Sequence, residues 1–488
     1  MLLSSRTPRT AALLAAGVSL AVLAAAAPQS ATPLGVGDRL FPHLGNPGYD
    51  VQSYDIAFTY QGDNSKPLDA VTKIDAQATA MLDRINLDFS HGTVHSVKVN
   101  GLRADFTTKG EDLVVTPTRS VVQGEPLHIT VEHTSDPVPG KEEIGWVRTK
   151  DGLAMANQAD AAHRVFPCND HPSDKAYFTF HVRTPKELTA VANGRSVSTT
   201  RAGDTTDWTY RTEHPMATEL AQVSIGRSSV LRREGPHGLE VRDVVRTEDV
   251  KTLDPWLAET PAQIAWMESK VGRYPFENYG LVIADATTGF ELETQTLSLF
   301  ERDLFTRSEY PKWYVESVMV HELAHQWFGD SVSPRTWSDV WLNEGHATWY
   351  EELYAQEKGN RPMEKRMRAA YGASDAMRAD GGPPAAPKSP APGEKISIFR
   401  PVVYDGAALV LYALREEIGK EAFENLERQW VSTHRDGTAT TADFVALASQ
   451  IAGRDLNGFF DAWLYGKKTP PMPGHPDWKV EPVKTAEK

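Results

Sequence analysis

Two histidines four positions apart, His321 and His325, bracket Glu322 in the segment HELAHQWFGD. On an α-helix, residues four apart differ by about 40° in direction, so both imidazoles can reach one ion. Glu322 follows the first histidine directly and projects beside a metal rather than onto it. A carboxylate held there can take a proton from a metal-activated water. Imidazole and carboxylate suit zinc, and a catalytic zinc needs three protein ligands and one open position. The segment WSDVWLNEGHATWYEE supplies the third: Glu344 follows His325 after 18 intervening residues. A helix that carried two histidines and a glutamate by chance would have no reason to be followed by a glutamate at that offset. Glu351 lies about two turns beyond Glu344 on the same face. It either orients a ligand imidazole or is a solvated surface glutamate. Asp339 and His346 carry the same two readings.

The rest of the chain holds two classes of element. From about Tyr54 to about Val245 the period is two, as in Leu127, Ile129 and Val131, and turn residues separate short strands. That pattern reads as an all-β domain, assigned to residues 45–245. After it the period becomes helical, with strands remaining near 280–286 and 295–301. Asp254-Pro255 reads as a cap and first turn opening a helix through Trp266. Further helices are expected over roughly 311–328, 338–357, 402–418, 420–433, 441–452 and 456–465. The fold class is therefore α+β, with a mostly helical catalytic domain over 246–470. Residues 380–394, DGGPPAAPKSPAPGE, read as a surface loop inside it, and 471–488 as a C-terminal tail.

Bulk properties narrow the function further. The 488 residues carry a formal net charge of −14 with no block of like charge, which argues against nucleic acid as a partner. Arg6 and Arg9 precede an uncharged run from Ala11 to Ala27 that ends in alanines. This is the pattern of a signal peptide, placed at residues 1–31, and it implies a secreted protein with no stable membrane association after cleavage. An uncleaved anchor is the alternative, although the run is short for a bilayer span of about 20 residues. Cys168 is the only cysteine, so no intramolecular disulfide can form, and it reads as a small buried apolar residue.

HELAHQWFGD followed by WLNEGHATW resembles the gluzincin aminopeptidases, the family of aminopeptidase N and leukotriene hydrolase. HRVFPCNDHPSDKAYFTFHV (163–182), GFELETQTLSLF (289–300) and FFDAWLYGKKTPP (459–471) are similar to other family segments, so the resemblance runs from about residue 50 to 470. It implies a thermolysin-like catalytic domain that holds one zinc through His321, His325 and Glu344, with Glu322 as general base. It further implies that Glu293 matches the glutamate that anchors a free α-ammonium, although Phe290, Glu291 and Thr294 depart from the family's G-x-M-E-N setting. Glu291 and Glu293 share a strand face, so either both look into the cleft or both look away. Counting back ten residues from Cys168 gives Gln158 as a second, uncharged anchor. The oxyanion-stabilising phenol corresponds to Tyr404, 60 residues beyond Glu344, although the usual Y-x-K-G reads Y-D-G-A here. Tyr412 is the alternative, its apolar neighbours pointing to core packing.

The function these implications describe is removal of the N-terminal residue from peptides with a free N-terminus, by zinc-activated water and a glutamate base. Two other readings use the same residues. One is an endopeptidase, since the chain ends soon after the catalytic domain and would leave the cleft open. The other is an inactive binding scaffold, against which the intact ligand and base set stands.

Overall fold

The computed structural model describes residues 35–138, 144–391 and 394–483. The signal peptide expected over 1–31 lies outside them. The period-two region forms a ten-stranded sheet in which Tyr49–Thr59 pairs antiparallel with Leu68–Ala78. In both strands every second side chain is buried, Tyr54, Ile56 and Phe58 on one and Ala70, Thr72, Ile74 and Ala76 on the other. Alternation of this kind puts one face on a core and the other in water. A four-stranded sheet packs on the same core and is buried almost throughout: Gly145–Arg148, Leu153–Ala156, Thr189–Ala192 and Val223–Gly226. Its strand Leu153–Ala156 runs directly into Gln158.

Strand pairing runs across the boundary expected at 245/246. Ser228–Glu234 and Glu240–Arg246 pair with each other, and Val244 pairs in parallel with Val282. Both strands thus belong to the sheet that contains Leu281–Ala284 and Ser298–Glu301, which underlies the helices. Their alternation matched the preceding strands because period two reports a half-buried strand, not the sheet it joins.

The helical half holds Lys312–His325, Trp341–Glu357, Asp405–Ile418, Lys420–Thr433 and Thr441–Ala452, within a few residues of expectation. Thr440 and Asp443 form a reciprocal capping box on the last of these. Three expectations differ. The single helix through Trp266 is two, Val250–Leu257 with Pro255 inside it and Thr260–Val271 with a new proline start. Asp254 caps nothing and pairs with Arg233 instead. A helix not expected at all, Met363–Gly381, precedes the loop expected over 380–394 and takes in only its first two residues. Its buried Met363, Met367, Ala370, Tyr371, Ser374 and Arg378 follow helical spacing, but alanine, serine and arginine gave that stripe little apolar contrast. Finally, residues 471–483 are no loose tail. Met472 and Trp478 are buried in the catalytic core, and Trp478 stacks on Tyr412.

A small third cluster bridges the two halves. Leu40, Phe41 and Leu44 pack with Ala159 from the β region and with Trp337, Val340, Val402 and Val403 from the helical region. Asp38 fastens this segment by accepting from the backbone N–H groups of Leu40, Phe41 and Trp337.

Candidate active site

The helix Lys312–His325 is solvent-exposed where it starts behind Pro311 and buried all round from Met319 to His325. One side of that last stretch, with Val320, Leu323 and Ala324, enters the core. The other carries His321, Glu322 and His325 against the helix Trp341–Glu357. Glu344 sits in the first turn of that second helix, and its Oε2 lies 3.4 Å from the Nε2 of both His321 and His325. Ligand atoms on a tetrahedral ion with bonds of about 2.1 Å are about 3.4 Å apart, so the trio has the dimensions of a metal site. Two buried carboxylate oxygens here, Glu344 Oε2 and Glu322 Oε2, have no hydrogen-bond partner among the described residues. A buried carboxylate oxygen left so is costly, and a cation relieves the cost.

The remaining imidazole nitrogens are engaged in ways that aim Nε2 at the trio. His321 Nδ1 lies 3.0 Å from Glu351 Oε2, and His325 Nδ1 lies 3.1 Å from the Phe328 carbonyl oxygen. Of the two readings of Glu351, the structure supports the orienting one. Asp339 and His346 are structural. Asp339 accepts from the Thr441 backbone N–H and hydroxyl, while His346 is enclosed, bonding the Leu342 carbonyl and Glu427. Burial pushes Glu322 up to about 8, the neighbouring histidines acting against it. Burial works the same way on Glu344, but His325 and His321 outweigh it and hold that carboxyl down to about 2.

Gln158 and Glu293 meet across the domain junction, Gln158 Nε2 donating to Glu293 Oε1 at 2.6 Å. Both line the same cavity of about 240 Å³ as the histidines, Glu322 and Tyr404. The Glu291–Glu293 stretch is extended but makes only one ladder bridge, Leu292 with Leu299. Glu291 also looks into the cavity, which answers the question of which way that face points.

Tyr404 is the residue immediately before the helix Asp405–Ile418, and its ring centroid lies 6.0 Å from that of His321. Burial, with Glu344, Glu293 and Glu322 nearby, pushes its phenol well above the ordinary range, so it remains a proton donor. Tyr412 is elsewhere, its hydroxyl 3.1 Å from His475 Nε2. Cys168 is buried and inert, burial pushing its thiol well above the usual range.

One organising residue escaped the sequence analysis. Gln326 donates to the Glu293 carbonyl oxygen and to Asp330, and accepts from the Tyr274 hydroxyl and the Thr296 backbone N–H. It clamps the end of the metal helix to the segment carrying Glu293. The available signal was a lone amide between His325 and Trp327 at a fully buried helix end. Asp160, His163 and Asp170 form a second compact trio. There Asp170 already accepts from the His163 backbone and ring and from the Thr218 hydroxyl, as a buried structural ion pair does.

The peptidase M1 N-terminal domain matches residues 49–220, and the peptidase family M1 domain matches residues 257–463. The chain belongs to peptidase family M1. It is 26% identical over 327 residues to aminopeptidase M1-D of Oryza sativa subsp. japonica, covering 64% of this chain and 37% of that one. It is likewise 26% identical over 330 residues to glutamyl aminopeptidase of Bos taurus, covering 65% and 34%. The chain therefore spans about a third of the length of these curated M1 relatives. Among solved structures, the M1 zinc metallopeptidase from Deinococcus radiodurans superposes with a TM-score of 0.78 at 28% identity, covering 90% of this chain and 98% of that one. A variant of that metallopeptidase bound to a Tyr-Ser-Ala substrate superposes at 0.76 and 27% identity, covering 91% and 100%.

Proposed function

We propose that this M1 chain is a zinc aminopeptidase releasing the N-terminal residue of peptides. The observation that carries the reading is the placement of Gln158 and Glu293, hydrogen-bonded to each other, on the wall of the cavity that holds the His321–His325–Glu344 trio. The relatives named as aminopeptidases and the Tyr-Ser-Ala complex of the similar metallopeptidase support it.

His321, His325 and Glu344 would hold the zinc, which when bound supplies Lewis acidity to a water and to the scissile carbonyl. The chain's own residues do the rest. Glu293 pairs with the substrate α-ammonium and Gln158 accepts a hydrogen bond from it through its amide oxygen, which places the first peptide bond at the trio. A chain extending beyond the ammonium would meet this wall. Glu322 takes a proton from the attacking water and returns it to the leaving amine. The Tyr404 phenol donates to the oxygen of the tetrahedral intermediate, where charge develops. The leader-like pattern around Arg6 and Arg9 supports export of this enzyme, and no helix among the described residues is long and apolar enough to cross a membrane.

The test compares a free peptide with its N-acetylated form, with and without a chelator. Cleavage of the free peptide alone, abolished by the chelator and restored by zinc, is the expected result. Equal cleavage of the acetylated peptide would assign an endopeptidase instead. Glu322→Ala should lose turnover while retaining zinc.

A further inference from the structure

We propose that Glu291 makes the second residue of the substrate, the one behind the scissile bond, a selective position for lysine or arginine. This rests on the aminopeptidase reading and deepens it. Glu291 lines the catalytic cavity and an adjoining one of about 270 Å³. Its Oε2 accepts from the Glu301 backbone N–H at 2.6 Å. Of the other acids lining the cavity, Glu344 and Glu322 sit at the metal trio, Glu351 pairs with His321 and Glu293 accepts from Gln158. No lysine, arginine or histidine among the described residues pairs with Glu291. A half-buried carboxylate facing a substrate cleft without a counter-charge is a receptor for a cation supplied by the substrate.

The elements around Glu291 decide which substrate residue it meets. The ammonium end is marked by Gln158 and Glu293, and Glu293 lies toward His325, 3.9 Å from its Nδ1. Glu291 is two residues earlier in the extended segment, about 6.6 Å along it. Tyr314 and Val318, which precede His321 on the metal helix, line the same cavity. Burial pushes the Glu291 carboxyl well above the ordinary range, the Glu301 N–H acting against it and the Glu322 carboxylate adding to it, and a bound cation would draw it back down. Glu322 protonates the leaving amine, so the residue carrying that amine passes on Glu291's side. Tyr314, Val318 and Phe290 offer apolar surface for the methylene stem of a lysine or arginine, with the carboxylate at its head.

The test measures kcat/KM for leucine release from Leu-Lys-Ala and Leu-Leu-Ala, and for lysine release from Lys-Leu-Ala. The wild-type enzyme should favour Leu-Lys-Ala over Leu-Leu-Ala by about tenfold, as expected for one charge-assisted contact. Glu291→Gln, which keeps an acceptor for the Glu301 N–H, should reduce that ratio to near one. If the variant does not fold, raised salt should erode the wild-type preference, and a salt-independent preference would overturn the proposal. No wild-type preference, or a basic preference confined to Lys-Leu-Ala, would also overturn it. Absence of release from all three peptides would overturn the aminopeptidase reading, and this proposal with it.

Discussion

Glu351→Ala isolates one contact that orients the metal trio. Among the described residues its carboxylate is the one partner of His321 Nδ1, whereas His325 Nδ1 is held by a backbone carbonyl that mutation leaves in place. Removing it frees the His321 ring to rotate and withdraws a charge that strengthens the imidazole as a ligand. A net hydrogen bond to a charged group is worth about 1.5–3 kcal/mol. The Glu351 side chain is 19% exposed, so water screens part of this and the lower half of the range applies. About 1.5–2 kcal/mol corresponds to roughly 10- to 30-fold weaker zinc binding. Glu351→Gln keeps an acceptor without the charge and should fall between wild type and alanine. The assay is an equilibrium competition for zinc against a chromogenic chelator, followed by turnover at saturating zinc. Activity should recover most of the way once the metal is replaced. Zinc affinity of the alanine variant equal to wild type within experimental error would refute the orienting role.

Other outcomes test different parts of the structure. Tyr404→Phe should lower kcat by about 10²–10³ with zinc content unchanged, and an unchanged kcat would remove the phenol from the mechanism. Gly345→Ala places a Cβ 2.7 Å from that of Ala407, where the Glu344 helix crosses Asp405–Ile418. It should cost about 1–3 kcal/mol in thermal or denaturant unfolding, and an unchanged midpoint would show that the crossing is looser than described. Stability of the chelator-treated protein should fall as pH rises from about 5.5 to about 8.5. Burial raises Asp174 and Asp243 to about 7 and Asp88 and Glu219 to about 8. Each of these carboxyls binds its proton more tightly folded than unfolded. Its contribution is full below the ordinary carboxyl range and is lost as pH passes through 7 to 8. His163 works in the same direction: burial opposes its protonation, but Asp170 and Glu111 raise it to about 10. A midpoint that climbs with pH over this interval would contradict the sign.

Features with a local logic were legible before any fold was known. His321, Glu322 and His325 share a face because four residues make just over one helical turn, and Glu344 stands out because its offset repeats a family spacing. The paired long strands were legible because alternation records burial on one face. The tertiary structure alone decided everything that depended on how two cores dock. Gln158 meets Glu293 from 135 residues away, and only the junction between the four-stranded sheet and the Glu291–Glu293 segment brings their side chains together. The choice between Tyr404 and Tyr412 turned on which one the fold carries to His321: Tyr404 stands just before the helix Asp405–Ile418 and reaches it, whereas Tyr412 lies within that helix and packs on Trp478 and His475. Glu291's orientation likewise needed the single bridge at Leu292, because alternation fixes which residues share a face but not which face the fold turns inward.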